Sequence, residues 1–139
     1  MNLRNDDRTM RELLEGLDFE QPIAMLNLIK FRAEAEYPDS ASEPSCSGEE
    51  AYRRYGAGVS TVLDGMDASI MLVGAQELIG PDNEWDLAFV ARYPTVHAFW
   101  SLIDNPDYQA IAHHRKAAVA DSRLLAMKFS DGSLIKTLP

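Results

Sequence analysis

The chain has 139 residues, of which 46% are hydrophobic and 25% charged, the size and composition of one globular domain rather than a disordered segment. Thirteen Lys and Arg stand against 22 Asp and Glu, and the resulting charge of −9 excludes general binding to nucleic-acid phosphates or to anionic membranes. No apolar run reaches the roughly 18 residues that a membrane-spanning helix needs. A single cysteine, Cys46, closes no intrachain disulfide, and the opening MNLRNDDRTM lacks the apolar core of a signal peptide, so a cytoplasmic protein is expected.

In chain order, Met10, Leu13, Leu14 and Leu17 recur at the spacing of an amphipathic helix, with Asp6 or Asp7 as its cap and Gly16 near its end, a helical extension over residues 1–20. The segment IAMLNLIKF, 23–31, is apolar on both alternating faces and predicts a strand covered on both sides. Residues 33–48, AEAEYPDSASEPSCSG, are rich in Ser, Pro and acid. They predict a long flexible loop, either a lid or a tolerated insertion. Ser47 and Glu50 form a capping box that opens a helix carrying Tyr52, Tyr55, Val59, Val62, Leu63 and Met66 at helical spacing.

Residues 68–80 read as a strand, GPDNE as a turn and WDLAFVARY, 85–93, as a second strand, together a hairpin. Pro94 and Thr95 open a short helix through Ile103. Asn105 and Pro106 restart a second one, whose apolar stripes run on to Val119 and Ala120, and SRLLAMKF at 122–129 returns to strand character. The order predicts an α+β ferredoxin-like βαββαβ sandwich with an extra N-terminal helix, one domain with its core over 22–130. Strands apolar on both faces, with helices on one face only, require a second copy of the sheet, hence a homodimer.

Four features carry candidate chemistry. Asn27 interrupts the strand face formed by Ile23, Met25, Ile29 and Phe31, so its amide either bonds a neighbouring backbone group or orients a ligand. Tyr52 and Tyr55 share one helix face and can point both hydroxyls into one cavity, or serve as core. Trp85 and Tyr93 share a strand face by parity and are core first, pocket wall second. In AHHR, 112–115, adjacent histidines diverge by about 100° on a helix, so His113 and His114 are poorly placed to chelate one ion and no metal is expected. Arg115 falls in the stripe Tyr108, Ile111, Ala112, Arg115 and Val119, where a guanidinium must snorkel, pair with a carboxylate or meet an anion. Cys46 has acidic neighbours that oppose thiolate formation. Phosphate-binding glycine loops, nucleophile elbows and paired-histidine metal motifs are missing, which leaves hydrolase, kinase and metalloprotease readings without support.

Taken together, MLNLIKF at 25–31, EEAYRRYG at 49–56 and NPDYQAIAHHRKAAVADSRLL at 105–125 resemble the domain-of-unknown-function family 1330, over residues 22–130. The resemblance implies a dimeric α/β barrel in which two ferredoxin-like sheets pack face to face. The wider superfamily includes antibiotic-biosynthesis and haem-degrading monooxygenases, with the site between sheet and helices. For the haem degraders, an Asn on the first strand, a Trp closing the third and a His in the last helix correspond to Asn27, Tyr93 and His113, so Tyr stands where Trp is expected.

The expectation is therefore a homodimer whose pocket, between sheet and helices, takes a small organic ligand, an anion where Arg115 reaches it. Asn27, Tyr52, Tyr55, Trp85, Tyr93 and Arg115 would bind it. In an enzyme, His113 or His114 would move a proton near neutral pH while Arg115 holds negative charge, which suits a cofactor-independent monooxygenase or an isomerase. The alternative is a non-catalytic ligand-binding or structural dimer. A lesser one is a haem-binding or haem-degrading protein, haem being the one cofactor in view.

Overall fold

Ile23–Phe31 forms β1, the strand around which the sheet is built. In the computed structural model, which describes residues 9–74 and 76–134, β1 pairs antiparallel with β3 (Leu87–Tyr93) on one side and with β4 (Val119–Met127) on the other. β2 (Ser69–Val73) adds to the far edge of β3, which gives the order β2-β3-β1-β4. This antiparallel order, with helices crossing one face, is the ferredoxin-like sandwich that the element sequence predicts.

The helices start where side chains can cap them. Ser47 Oγ accepts from the Glu50 amide at 3.0 Å and opens α2, Gly48–Asp64. Thr95 Oγ1 accepts from Ala98 at 3.0 Å and opens α3, Val96–Asp104. Asn105 then accepts from Asp107 at 2.8 Å, with Pro106 at the first helical position of α4, Pro106–Ala118. The N-terminal helix is one short turn and a half, α1 at Met10–Leu14, capped by Thr9; Asp6 and Asp7 lie outside the described residues. Leu14 is buried in the core, and Met10 and Leu17 pack against it, whereas Leu13, the other member of the predicted stripe, is exposed.

Several boundaries differ from the sequence reading: β3 begins at Leu87 rather than 85, and β4 ends at Met127 rather than 129. β2 ends at Val73 rather than reaching residue 80: Gly74 turns the chain at φ 79° and still donates to the Ala88 carbonyl, and β3 begins only at Leu87, so among the described residues beyond Gly74 none pairs with it. β4 begins at Val119 rather than 122. Val119 is extended and pairs with Phe31, so sheet pairing with β1 ends α4 at Ala118, two residues before its stripes of small and apolar residues run out.

The odd-numbered residues of β1 face the helices, and Ile23, Met25 and Ile29 are fully buried there. Its even-numbered residues face the other way, beside Val90 of β3 and Leu125 and Met127 of β4. No element of the chain packs over that face among the described residues: Leu125 and Met127 are 46% and 47% exposed, and Leu72 on β2 is 66% exposed.

The segment expected as a flexible loop carries backbone hydrogen bonds at its two ends. Arg32 and Glu36 donate backbone hydrogen bonds to Ala118 and Ala117 at the end of α4, at 2.8 and 2.9 Å. Ala35 bonds Cys46, and Glu34 bridges Ser47, closing the segment on itself. It lies along α4.

Candidate functional site

A cavity of about 230 Å³ lies between the helices and the sheet. β1 supplies Met25 and Asn27, β3 supplies Phe89, Ala91 and Tyr93, and β4 supplies Leu124. α2 closes it with Tyr52, Tyr55, Val59 and Leu63, α3 with Phe99 and Leu102, and α4 with Tyr108 and Arg115. The wall is mostly apolar, with a few polar groups from different elements, the usual composition of a small-molecule pocket.

Five of the six expected ligand-binding residues meet there: Asn27, Tyr52, Tyr55, Tyr93 and Arg115. Asn27 does both things its position allows. Its Nδ2 donates to the Met25 carbonyl at 3.1 Å, and the same side chain lines the cavity. Tyr55 Oη donates to Tyr108 Oη at 3.2 Å, and the Tyr52 and Tyr55 rings stand 5.2 Å apart. Burial pushes the Tyr52 hydroxyl up to about 12, with Arg115 opposing the shift. Tyr55 is raised well above its ordinary value by burial and by Tyr108, and Tyr93 is raised by burial first. At neutral pH these phenols are uncharged hydrogen-bond donors.

Among the described residues Arg115 is the only cation of the lining. Its Nη2 donates to Ser122 Oγ at 3.4 Å, and its charge acts on the Tyr52 hydroxyl against the rise that burial causes. Among the described residues no carboxylate lies within ion-pair distance of it. Tyr108 was missed as a site residue, although the stripe it shares with Arg115, two helical turns away, carried the signal.

Trp85 does not join the cavity. It precedes β3, so strand parity does not govern it, and the Arg123 guanidinium sits over its ring at 5.1 Å. Arg123 pairs with Leu28 across β1 and β4, which places this contact on the open face of the sheet.

The histidines are elsewhere too. With Arg115 facing the cavity, the helical phase turns His113 and His114 outward to the 33–47 segment. His113 Nε2 lies 3.1 Å from Glu43 Oε1, and His114 Nδ1 lies 2.7 Å from Tyr37 Oη. The two imidazoles do not diverge as adjacent helical positions suggest; their side chains bend together around Glu43, with ring centroids 4.0 Å apart. The geometric reason for expecting no metal there therefore fails. Arg54 completes the cluster, donating to Tyr37 Oη at 3.3 Å and lying 3.7 Å from Glu43 Oε2. The hydrogen bond from His113 holds the Glu43 carboxyl below its ordinary value, while burial and His113 lower His114. Cys46 is half-buried against the apolar cluster around Ile29 and Tyr52.

Comparison with known proteins places this geometry in a family. A protein of unknown function from Rhodopseudomonas palustris is 38% identical, with a TM-score of 0.78 over 90% of this chain and 96% of that one. A dimeric ferredoxin-like protein of unknown function from Bacteroides fragilis is 12% identical, with a TM-score of 0.51 over 81% of this chain and all of that one. A provisionally named antibiotic biosynthesis monooxygenase from Caulobacter crescentus is 14% identical, with a TM-score of 0.54 over 84% of this chain and 97% of that one. These last two are similar in fold alone. No curated protein matches the chain. No helix among the described residues is long and apolar enough to cross a membrane. The sequence profile of the domain of unknown function DUF1330 matches residues 42–129, and with the Rhodopseudomonas relative covering nearly the whole chain, this protein belongs to that family.

Proposed function

We propose that this protein is a homodimeric receptor for a small, largely apolar organic anion, held between sheet and helices by Arg115. The observation that carries the reading is a guanidinium facing a mostly apolar cavity with no carboxylate partner among the described residues. An arginine in such a place costs desolvation energy, and a bound carboxylate, phenolate or enolate offsets it through charge-assisted hydrogen bonds. The tyrosine hydroxyls and the Asn27 amide add neutral donors around the anion, and Phe89, Phe99 and Leu63 supply apolar wall.

Binding is favoured over acid–base catalysis. The cavity lining holds no imidazole or carboxylate among the described residues, so it offers no base for proton abstraction at neutral pH. Isomerisation driven by His113 or His114 is therefore set aside. Oxygenation without a cofactor remains the second reading, because a substrate that enters already ionised needs no base and is held here by a cation and O–H donors. Haem does not suit the site, since His113 is turned to Glu43 outside the cavity and reaches nothing inside it.

The dimer forms, on this reading, through the open sheet face. Leu72, Leu125 and Met127 are exposed there beside the half-buried Leu26, Leu28 and Val90, an apolar surface that a second copy would bury around a two-fold axis.

Calorimetric titration with benzoate and with its neutral analogue benzamide tests the site. Benzoate is expected to bind about tenfold or more tightly than benzamide, the worth of a charged hydrogen bond, and Arg115→Met should erase that preference without unfolding the chain. Equal binding of both probes by the unmodified protein, or a preference that survives Arg115→Met, would overturn the reading.

A further inference from the structure

We propose that Glu43, His113 and His114 form a binding site for a divalent transition-metal ion of the zinc class, which joins the 33–47 segment to α4. Glu43 Oε1, His113 Nε2 and a ring nitrogen of His114 all lie within 4.8 Å of one another. Glu43 Oε1 is 3.1 Å from His113 Nε2 and 3.9 Å from His114 Nε2. Ligands bound at the usual distances to a tetrahedral zinc ion sit about 3.4 Å apart, so small rotations of two side chains bring the set to coordination distance. Two imidazoles and one carboxylate match the borderline acids of the first transition row rather than calcium or magnesium. Three protein ligands leave the remaining positions to solvent.

The surroundings support His114 as a ligand. Tyr37 Oη lies 2.7 Å from His114 Nδ1. When the tyrosine accepts from Nδ1–H, the Nε2 lone pair is left free toward Glu43, which is the outer-shell arrangement of metal-bound histidine. Arg54 also touches the cluster, through Tyr37 Oη, the Pro44 carbonyl and Glu43 Oε2. It engages the carboxylate oxygen that does not face the histidines, and its charge moderates affinity for a cation. The site is separate from the cavity, since none of its three ligands lines that space. An ion here would link a loop residue to two helix residues seventy positions away, and so hold a segment otherwise fixed by backbone hydrogen bonds at its ends.

Titration of untagged, chelator-treated protein with Co²⁺, followed by its visible ligand-field absorption, and with Zn²⁺ by calorimetry, tests the proposal. One ion per chain is expected. His113→Ala, His114→Ala and Glu43→Gln should each weaken binding at least tenfold, and Tyr37→Phe about tenfold with unchanged stoichiometry; His97→Ala, on α3, should leave it unchanged. Zn²⁺ should also slow hydrogen exchange at the Ala35 and Glu36 amides in the unmodified protein and not in His113→Ala. His113 is partly exposed, so its variant carries the test even if His114→Ala folds poorly. Absence of saturable binding, or binding that survives His113→Ala and Glu43→Gln, overturns the proposal.

Discussion

Gly48, at the first turn of α2, packs directly on the backbone of Arg32: a Cβ at this position would run into the Arg32 carbonyl oxygen and come within 2.9 Å of the Ala118 carbonyl oxygen. Both neighbours are main chain at the junction of β1, α2 and α4, and main chain cannot swing aside as a flexible side chain can. Gly48→Ala should therefore destabilise the fold by about 1–3 kcal/mol, the ordinary cost of overpacking. Gly56, in the same helix, has nothing within 4 Å of its Cβ position, and Gly56→Ala should be neutral or gain up to about 1 kcal/mol from helix propensity. Urea denaturation of the two variants checks the contrast; equal effects would mean that the Gly48 contact is not tight.

The Tyr55–Tyr108 hydrogen bond joins α2 to α4 over the cavity. Either single change to Phe should cost about 0.5–1.5 kcal/mol. The double variant should cost less than the sum, since neither hydroxyl is then left without its partner. A double-mutant cycle measured by thermal or urea unfolding reads the coupling, and strict additivity would show that the two hydroxyls do not interact in solution.

Alkaline pH should weaken the fold through Tyr52, Tyr55 and Tyr93. Tyr52 is raised from 10 to about 12, so between those values the unfolded chain has released a proton that the folded chain retains. The folded state then binds more protons, and stability falls as pH rises through that window, while below 10 the contribution is fully present. Tyr55 and Tyr93, shifted in the same direction, add to the fall. Urea midpoints measured across this range should drop less steeply for Tyr52→Phe than for the unmodified protein. Parallel curves would assign the alkaline loss to other groups.

The open sheet face gives a prediction about assembly. Leu125→Lys places a charge in the middle of the exposed apolar surface, next to Leu26 across the β1–β4 pair. Sedimentation at micromolar concentration should show a dimer for the unmodified protein and a species near 15.5 kDa for the variant. A monomer in both cases would remove the second copy from the proposed function, and a dimer in both would move the interface elsewhere.

Much of this architecture is written in short-range patterns. Ser47, Thr95, Asn105 and Pro106 mark helix starts because a side-chain oxygen, or a ring without an amide proton, settles a helix terminus within a few residues. The apolar run 23–31 identifies β1 for the same local reason, since successive side chains of a strand point to opposite sides, while only the fold decides which of its two apolar faces meets the helices. Asn27, Tyr52, Tyr55, Tyr93 and Arg115 were legible as cavity residues because each is a polar group on a face otherwise apolar, and such faces meet inside a two-layer fold.

What periodicity could not carry is long-range. Trp85 follows the parity of β3 in sequence, yet it lies before the first paired residue and stacks with Arg123 from another strand. Val119 continues a helical stripe, yet it is drawn into the sheet by pairing with Phe31. His113 and His114 face away from the cavity because Arg115 faces into it, and they converge because Glu43 and Tyr37 come to them across a seventy-residue separation. The chain alone determined which elements form and which faces are apolar. Only packing decided which polar groups meet, because their partners are brought close by the whole fold and not by their neighbours in sequence.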